Sequence, residues 1–240
     1  MFKFKKAVLI IHGFAGGTYD EEPLFFRLQS ESKFDVYNFT LPGHITNLST
    51  DVEYQDWIDA VDKRINKLIE IGYNDIYVVG HSMGGVLATY AAIKYKQVKK
   101  LVLVAPAFSY LSTEDKSTFT KSIKSAPELI KEYNPKEIIS RVLKVSIQQL
   151  KEFEKIVEVS QKNPSKITVP TLIIQGTSDS LVPYESSEKI FNEMNCIKYL
   201  IEVDGVTHDV FFGHKVEEIC NEITNFLKKN NYSAENIRKW

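Results

Sequence analysis

The chain has 240 residues, of which 43% are hydrophobic and 25% charged, enough for one large α/β domain or two small ones. A formal net charge of -1 gives no long-range pull toward nucleic acid or anionic membrane, and the Lys-rich runs at Lys3 to Lys6 and Lys228-Lys229 read as solvated ends. No apolar run reaches the roughly 18 residues that span a bilayer, so no integral membrane segment is expected.

Basic residues precede the apolar run Ala7 to Ile11, as at the start of a signal peptide. The run is too short, however, and no small-residue cleavage site follows, so a cytoplasmic protein is the simplest expectation. Cys196 and Cys220 lack Cys-x-x-Cys spacing and metal-type His neighbours. They read as free, buried or half-buried thiols.

Ala7 to Ile11 has the continuous apolar pattern of a strand buried on both faces of a parallel sheet. It runs into His12-Gly13-Phe14-Ala15-Gly16-Gly17. That loop has neither Gly-x-Gly-x-x-Gly nor Gly-Lys-Ser/Thr, so it offers no nucleotide-binding pattern. It is either a plain tight turn or a loop that aims a backbone N–H into a site, with Phe14 the candidate donor. Pro23 to Ser30 predicts a helix with proline in its first turn. Phe34 to Phe39 predicts a strand, and Leu41-Pro42-Gly43-His44 a turn. Between Glu53 and Ile71, Tyr54, Trp57, Ile58, Val61, Ile65, Leu68 and Ile69 fall on one helix face, with Gly72 as a C-terminal cap.

Tyr77-Val78-Val79-Gly80-His81-Ser82-Met83-Gly84-Gly85-Val86-Leu87-Ala88 is the stretch on which a function can be built. It reads as a strand from Ile76 to Val79, then Gly-x-Ser-x-Gly, then a helix from Gly84 to Tyr95. A serine on so sharp a strand-to-helix turn is held in a strained conformation that exposes its hydroxyl. Gly80 and Gly84 have no Cβ to clash where strand and helix cross. The helix N-terminus behind the serine favours developing negative charge.

Leu101 to Ala105 predicts another buried strand, closed by Pro106. Strand patterning then stops from 107 to 166. Ile147, Leu150, Phe153, Ile156 and Val157 sit at helical spacing, and Pro127, Pro135 and Pro164 punctuate the stretch. The expected organisation is therefore a core of residues 1–106 and 167–240, with a helical insertion over 107–166. Thr171 to Gln175 resumes the strand pattern, and Gly176-Thr177-Ser178-Asp179 ends it. Tyr184 to Met194 predicts a helix, Ile197 to Val203 a strand, Asp204 to Asp209 a turn, and Val216 to Lys229 a final amphipathic helix.

Strands alternating with helices predict a mostly parallel sheet covered on both faces, with sites at the carboxyl ends of its strands. His12, Ser82, Asp179 and His208 all follow predicted strands. A serine needs a base, and the base needs a third group to hold its tautomer. His208, in the turn after a strand, is favoured over His214, which suits the start of the last helix. Asp179 is the favoured acid and Asp204 its chief rival; Asp115 lies in the insertion, and Asp204 and Asp209 read more easily as turn formers. The Met83 N–H, following the nucleophile, would complete an oxyanion hole with Phe14.

Ile11-His12-Gly13-Phe14, Leu41-Pro42-Gly43-His44, Gly80 to Gly85, Gln175 to Asp179 and Gly205-Val206-Thr207-His208 together resemble the α/β-hydrolase superfamily. Within it the chain is similar to bacterial carboxylesterases and monoacylglycerol lipases with a small helical cap. The resemblance covers roughly Ala7 to Lys229. It implies an α/β-hydrolase fold and a catalytic triad of Ser82, Asp179 and His208. It also implies acyl-enzyme hydrolysis of small-molecule carboxylic esters without a metal or organic cofactor. Family members usually carry extra strands before the first one seen here, so a sheet trimmed at that edge is expected. Thioester, amide or carbon–carbon bond hydrolysis, acyl transfer, and a non-catalytic binding protein are the alternatives on the same fold. Phe108, Tyr110 and Phe119 could line an apolar pocket or pack the insertion onto the core.

Overall fold

Strands with apolar residues on both faces require a layer of helices on each side. The computed structural model describes residues 5–44, 51–109, 146–232 and 237–240. In chain order it contains β1 (Lys6–Ile11), α1 (Glu22–Gln29), β2 (Phe34–Phe39), α2 (Tyr54–Glu70), β3 (Ile76–His81), α3 (Met83–Lys94) and β4 (Val98–Val104). There follow α4 (Ile147–Ser160), a 3-10 turn (Pro164–Lys166), β5 (Thr171–Gly176), α5 (Tyr184–Glu193), β6 (Lys198–Val203), α6 (Val216–Lys228) and β7 (Ile237–Lys239).

The strands form one sheet in the order β2-β1-β3-β4-β5-β6-β7, and every neighbouring pair is parallel. The sheet ends at β2, so among the described residues no further strand lies beyond that edge. Alternate residues feed two separate cores. Ala7, Leu9 and Ile11 of β1, Ile76 and Val78 of β3, and Leu101 and Leu103 of β4 face the side packed by α2, α3, α4 and α5. Val8 and Ile10, Tyr77 and Val79, and Val102 and Val104 face the side packed by α1 and α6.

Local signals set the helix ends. Gly72 has φ of 101°, and the N–H groups of Gly72 and Tyr73 return to the carbonyls of Ile69 and Leu68, which closes α2 as a Schellman turn. At the head of α4, Ser146 Oγ accepts from the Gln149 N–H at 3.1 Å, and Gln149 Oε1 accepts from the Ser146 N–H at 3.1 Å, a capping box.

β7 is an element the sequence pattern does not reveal. It is three residues long, two of them charged, and partly exposed at the sheet edge. Its position comes from main-chain pairing with β6, extended by the Trp240 N–H to the Glu202 carbonyl at 2.9 Å. Of the insertion, α4 and the 3-10 turn are described. Phe153, Ile156 and Val157 of α4 share a core with α2, α3 and Phe108, so this part packs as a continuation of the core. Phe108 is buried there. Tyr110, Asp115, Phe119, Pro127 and Pro135 lie outside the described residues.

The chain leaves β1 for β2 on one side and then crosses to β3 on the other. This change of direction opens a crevice at the carboxyl ends of β1 and β3. His12 to Phe14 and Ser82 follow those two strands.

Candidate active site

Ser82 sits between β3 and α3 with φ of 53° and ψ of -120°. A side chain in that region is strained, and the neighbouring packing must impose it. A Cβ on Gly80 would lie 2.2 Å from the Gly84 carbonyl oxygen, and one on Gly84 would lie 2.1 Å from that of Ile11. No side chain fits at either place, so the spacing of the motif is a steric requirement. Ser82 is only 7% exposed, less open than a sharp turn suggests, because the loop after β1 lies against it. A Cβ on Gly13 would stand 3.1 Å from Ser82 Cβ and 3.7 Å from its Oγ. Met83 is the first residue of α3, so its N–H has no acceptor within the helix.

Asp179 and His208 meet in a buried contact, Nδ1 to Oδ2, at 2.8 Å. Nδ1 facing a carboxylate carries the proton, which leaves Nε2 of the neutral ring as a lone pair. The carboxylate is fully engaged. Oδ1 accepts from the N–H groups of Leu181 and Val182 at 2.9 and 2.8 Å, and Oδ2 accepts from Gln175 Nε2 at 2.9 Å as well as from His208. Burial pushes the Asp179 carboxyl up, but His208, the Val182 N–H and the Gln175 amide outweigh it and hold it below the usual aspartate range. The two loops are pressed together at Gly176, where a Cβ would lie 2.1 Å from the Val206 carbonyl oxygen.

His12 is a strut. Its Nε2 accepts from the Leu41 N–H at 2.9 Å, so its proton is on Nδ1, which donates to the Gly13 carbonyl at 2.8 Å. Burial and the neighbouring His44 lower its pKa to about 3, which keeps it neutral. It thereby ties the loop carrying Phe14 to the turn Leu41 to His44. Trp57 Nε1 donates to the Pro42 carbonyl at 3.0 Å, and Gln149 Nε2 of α4 to that of Gly43 at 3.1 Å. The Phe14 ring stacks on Phe153 of α4 at 4.9 Å and meets Trp57 edge-on at 5.9 Å. α4 thus packs against the residue whose N–H is the candidate oxyanion donor.

A model of the serine aminopeptidase S33 family matches residues 3–215. The chain belongs to that family. A Mycoplasma genitalium protein that carries an esterase/lipase name is 27% identical over 258 residues, covering 96% of this chain and 93% of that one. A Bacillus subtilis carboxylesterase is 24% identical, covering 95% of this chain and 96% of that one. The crystal structure of a Paleococcus ferrophilus monoacylglycerol lipase has the same fold, with a TM-score of 0.71 at 20% identity over 94% of this chain and 96% of that one. This S33-family chain is an esterase/lipase-like α/β-hydrolase.

In this S33-family member the rival residues Asp204 and His214 both lie at the surface. Asp204 is exposed, and its Oδ1 accepts from the Thr177 hydroxyl at 3.1 Å. His214 is exposed beside Gly205. Among the described residues, no group of three or more His, Cys, Asp or Glu side chains gathers as metal donors, and no helix is long and apolar enough to cross a membrane. Cys196 and Cys220 are free, and burial pushes the Cys220 thiol up to about 12.

Two participants escape sequence reasoning. Gln175 is wholly buried, bonds Asp179, and is itself held by the Ser187 hydroxyl at 2.7 Å. A glutamine at a strand end carries no marker of that role. Glu21 is 2% exposed and lies 3.0 Å from His81 Nδ1, whereas Glu22 beside it is exposed. Nothing in Asp20-Glu21-Glu22 tells one acid from the next.

Proposed function

We propose that the protein hydrolyses carboxylic esters by an acyl-enzyme route, with Ser82 as nucleophile, His208 as general base and acid, and Asp179 as the residue that orients it. The observation that carries this reading is the buried 2.8 Å contact between His208 Nδ1 and an aspartate with every oxygen engaged, beside an elbow whose serine has φ of 53° and whose preceding residue, His81, reaches the His208 carbonyl at 3.0 Å. Ser82 Oγ attacks the ester carbonyl carbon as His208 Nε2 takes its proton. The oxygen of the tetrahedral intermediate receives hydrogen bonds from the N–H groups of Phe14 and Met83. His208 then gives its proton to the departing alkoxide, and the alcohol leaves. Water, deprotonated by the same nitrogen, attacks the acyl-serine, and the acid is released as Ser82 is restored.

The S33 family model and the relatives named as esterase, lipase and carboxylesterase support the ester as the scissile group. Residues 107–166 are proposed as a cap over the site, and the stacking of Phe153 on Phe14 supports that role.

The test is labelling with a fluorophosphonate, followed by intact mass and digestion. One adduct per chain is expected at Ser82, along with turnover of p-nitrophenyl esters. Ser82→Ala is expected to abolish labelling and lower ester turnover by about 10^4-fold or more while leaving the protein folded. Near wild-type turnover by that variant would overturn the assignment.

A further inference from the structure

A second histidine–carboxylate contact lies directly behind the proposed base, and the reaction as written does not use it. His81 precedes the nucleophile in the chain. Its Nε2 lies 3.0 Å from the carbonyl oxygen of His208, and its Nδ1 lies 3.0 Å from Glu21 Oε1. A carbonyl oxygen only accepts, so Nε2 of His81 bears a hydrogen and donates it. A hydrogen bond on the other side then requires one more proton between Nδ1 and Oε1, whichever atom holds it. The rings of His81 and His208 also pack together, with centroids 5.1 Å apart. Phe211 closes against the His81 ring edge-on at 5.9 Å.

Both members are buried, and Glu21 Oε2 has no hydrogen-bond partner among the described residues. Burial raises the Glu21 carboxyl. Burial opposes a charge on His81, but Glu21 outweighs it and raises His81 as well. Asp20 and Asp209 are the further acids whose charges reach the pair. A half-satisfied buried pair is weak evidence for stability, because an apolar pair of similar volume is often as stable. Its position gives it a use other than stability. Glu21 ends the loop that carries Phe14, His81 is the elbow residue next to Ser82, and the His208 carbonyl belongs to the loop that carries the base.

We propose that Glu21 and His81 are positioning residues for His208: Glu21 fixes the His81 ring, and the His81 Nε2–H holds the His208 carbonyl so that the base keeps its bearing toward Ser82. The Val210 N–H shares that carbonyl at 2.9 Å. It belongs to the same loop, so it cannot tie the loop to the elbow; His81 can. The inference rests on the triad reading above.

The experiment compares the double variant Glu21→Leu/His81→Phe, the single variant Glu21→Gln and Ser82→Ala. Each is assayed for p-nitrophenyl ester turnover, fluorophosphonate labelling rate and melting temperature. The double variant keeps the volume and removes the donor. It is expected to keep its melting temperature within a few degrees. Its kcat should fall about 10- to 100-fold with KM within about threefold, and its labelling rate should fall by the same factor as kcat. Glu21→Gln, whose amide can donate to Nδ1 of a neutral ring, should recover most of that loss. A folded double variant with kcat and labelling within twofold of wild type would overturn the proposal. So would a kcat loss that only tracks the loss of folded protein. Nitrogen-15 histidine spectra of the unaltered protein are decisive even if the double variant does not fold: His81 must carry its proton on Nε2, and a bare Nε2 would overturn the proposal. Ser82→Ala separates the two failures. If it is inactive while the double variant is fully active, only the positioning role falls. If it retains turnover, the triad reading itself falls.

Discussion

His208–Asp179 and His81–Glu21 are both buried histidine–carboxylate contacts, at 2.8 and 3.0 Å, yet their surroundings give them opposite electrostatics. Asp179 receives two backbone N–H groups, an amide and the imidazole, and its carboxyl is held low. Glu21 keeps one oxygen without a hydrogen-bond partner among the described residues, and its carboxyl is raised. The number of donors aimed at a carboxylate decides whether burial neutralises it or whether it stays a fixed negative charge. A permanent charge suits a residue that must stabilise a transient imidazolium. A shared proton suits a residue that only has to hold a ring in place.

The largest expected effect breaks this contrast at Asp179. Asp179→Asn keeps the shape but allows the wrong His208 tautomer, and should lower kcat/KM by about 10^4-fold. The amide swap at Glu21 should cost far less. Equal losses from the two swaps would erase the distinction. Gln175→Ala removes a donor from Asp179 and strands the Ser187 hydroxyl. It should lower kcat about 10- to 100-fold and stability by about 1–3 kcal/mol, read by ester assay and urea unfolding.

Melting temperature against pH should separate the pairs by sign. The depressed Asp179 contributes stability present above its unfolded pKa of about 3.9 and lost as pH falls through its lower folded value. His12 acts on the same side. Its folded pKa of about 3 lies below the ordinary 6.5, so its contribution is present above about 6.5 and lost as pH falls toward 3. The Glu21–His81 pair acts in reverse. Folding takes up a proton there, so its contribution is present below the unfolded histidine value of about 6.5 and fades as pH rises through the raised folded value. Glu21→Gln should flatten that alkaline limb and leave the acid limb unchanged. The smallest effect belongs to Asp204→Asn. Its exposed carboxylate accepts from the Thr177 hydroxyl and so links the segments that follow β5 and β6, and turnover should stay within about twofold; a loss near that of Asp179→Asn would move the acid.

Much of this was legible in the chain because short-range physics enforces it. The short, β-branched, two-faced apolar runs of β1, β3 and β4 read as buried strands, and Gly80-x-Ser82-x-Gly84 is spaced by a clash that any Cβ would make. The helix face of Trp57, Val61, Ile65 and Leu68, and the stop at Gly72, follow from helical period and positive φ. Other features needed the fold. β7 is three residues, two of them charged, whose strand pairing is with the backbone of β6. Glu21 and Glu22 are the same residue type, side by side, one buried and one exposed, because the entry of α1 against the elbow turns one inward. Gln175 looks like any polar strand end until the loop after β5 folds Asp179 back onto it. Sequence determined the described elements other than β7 and which groups are chemically able to react. Tertiary structure decided which carboxylate is fed enough hydrogen bonds to stay charged, since that count depends on backbone N–H groups and partners that adjoin only when distant segments pack.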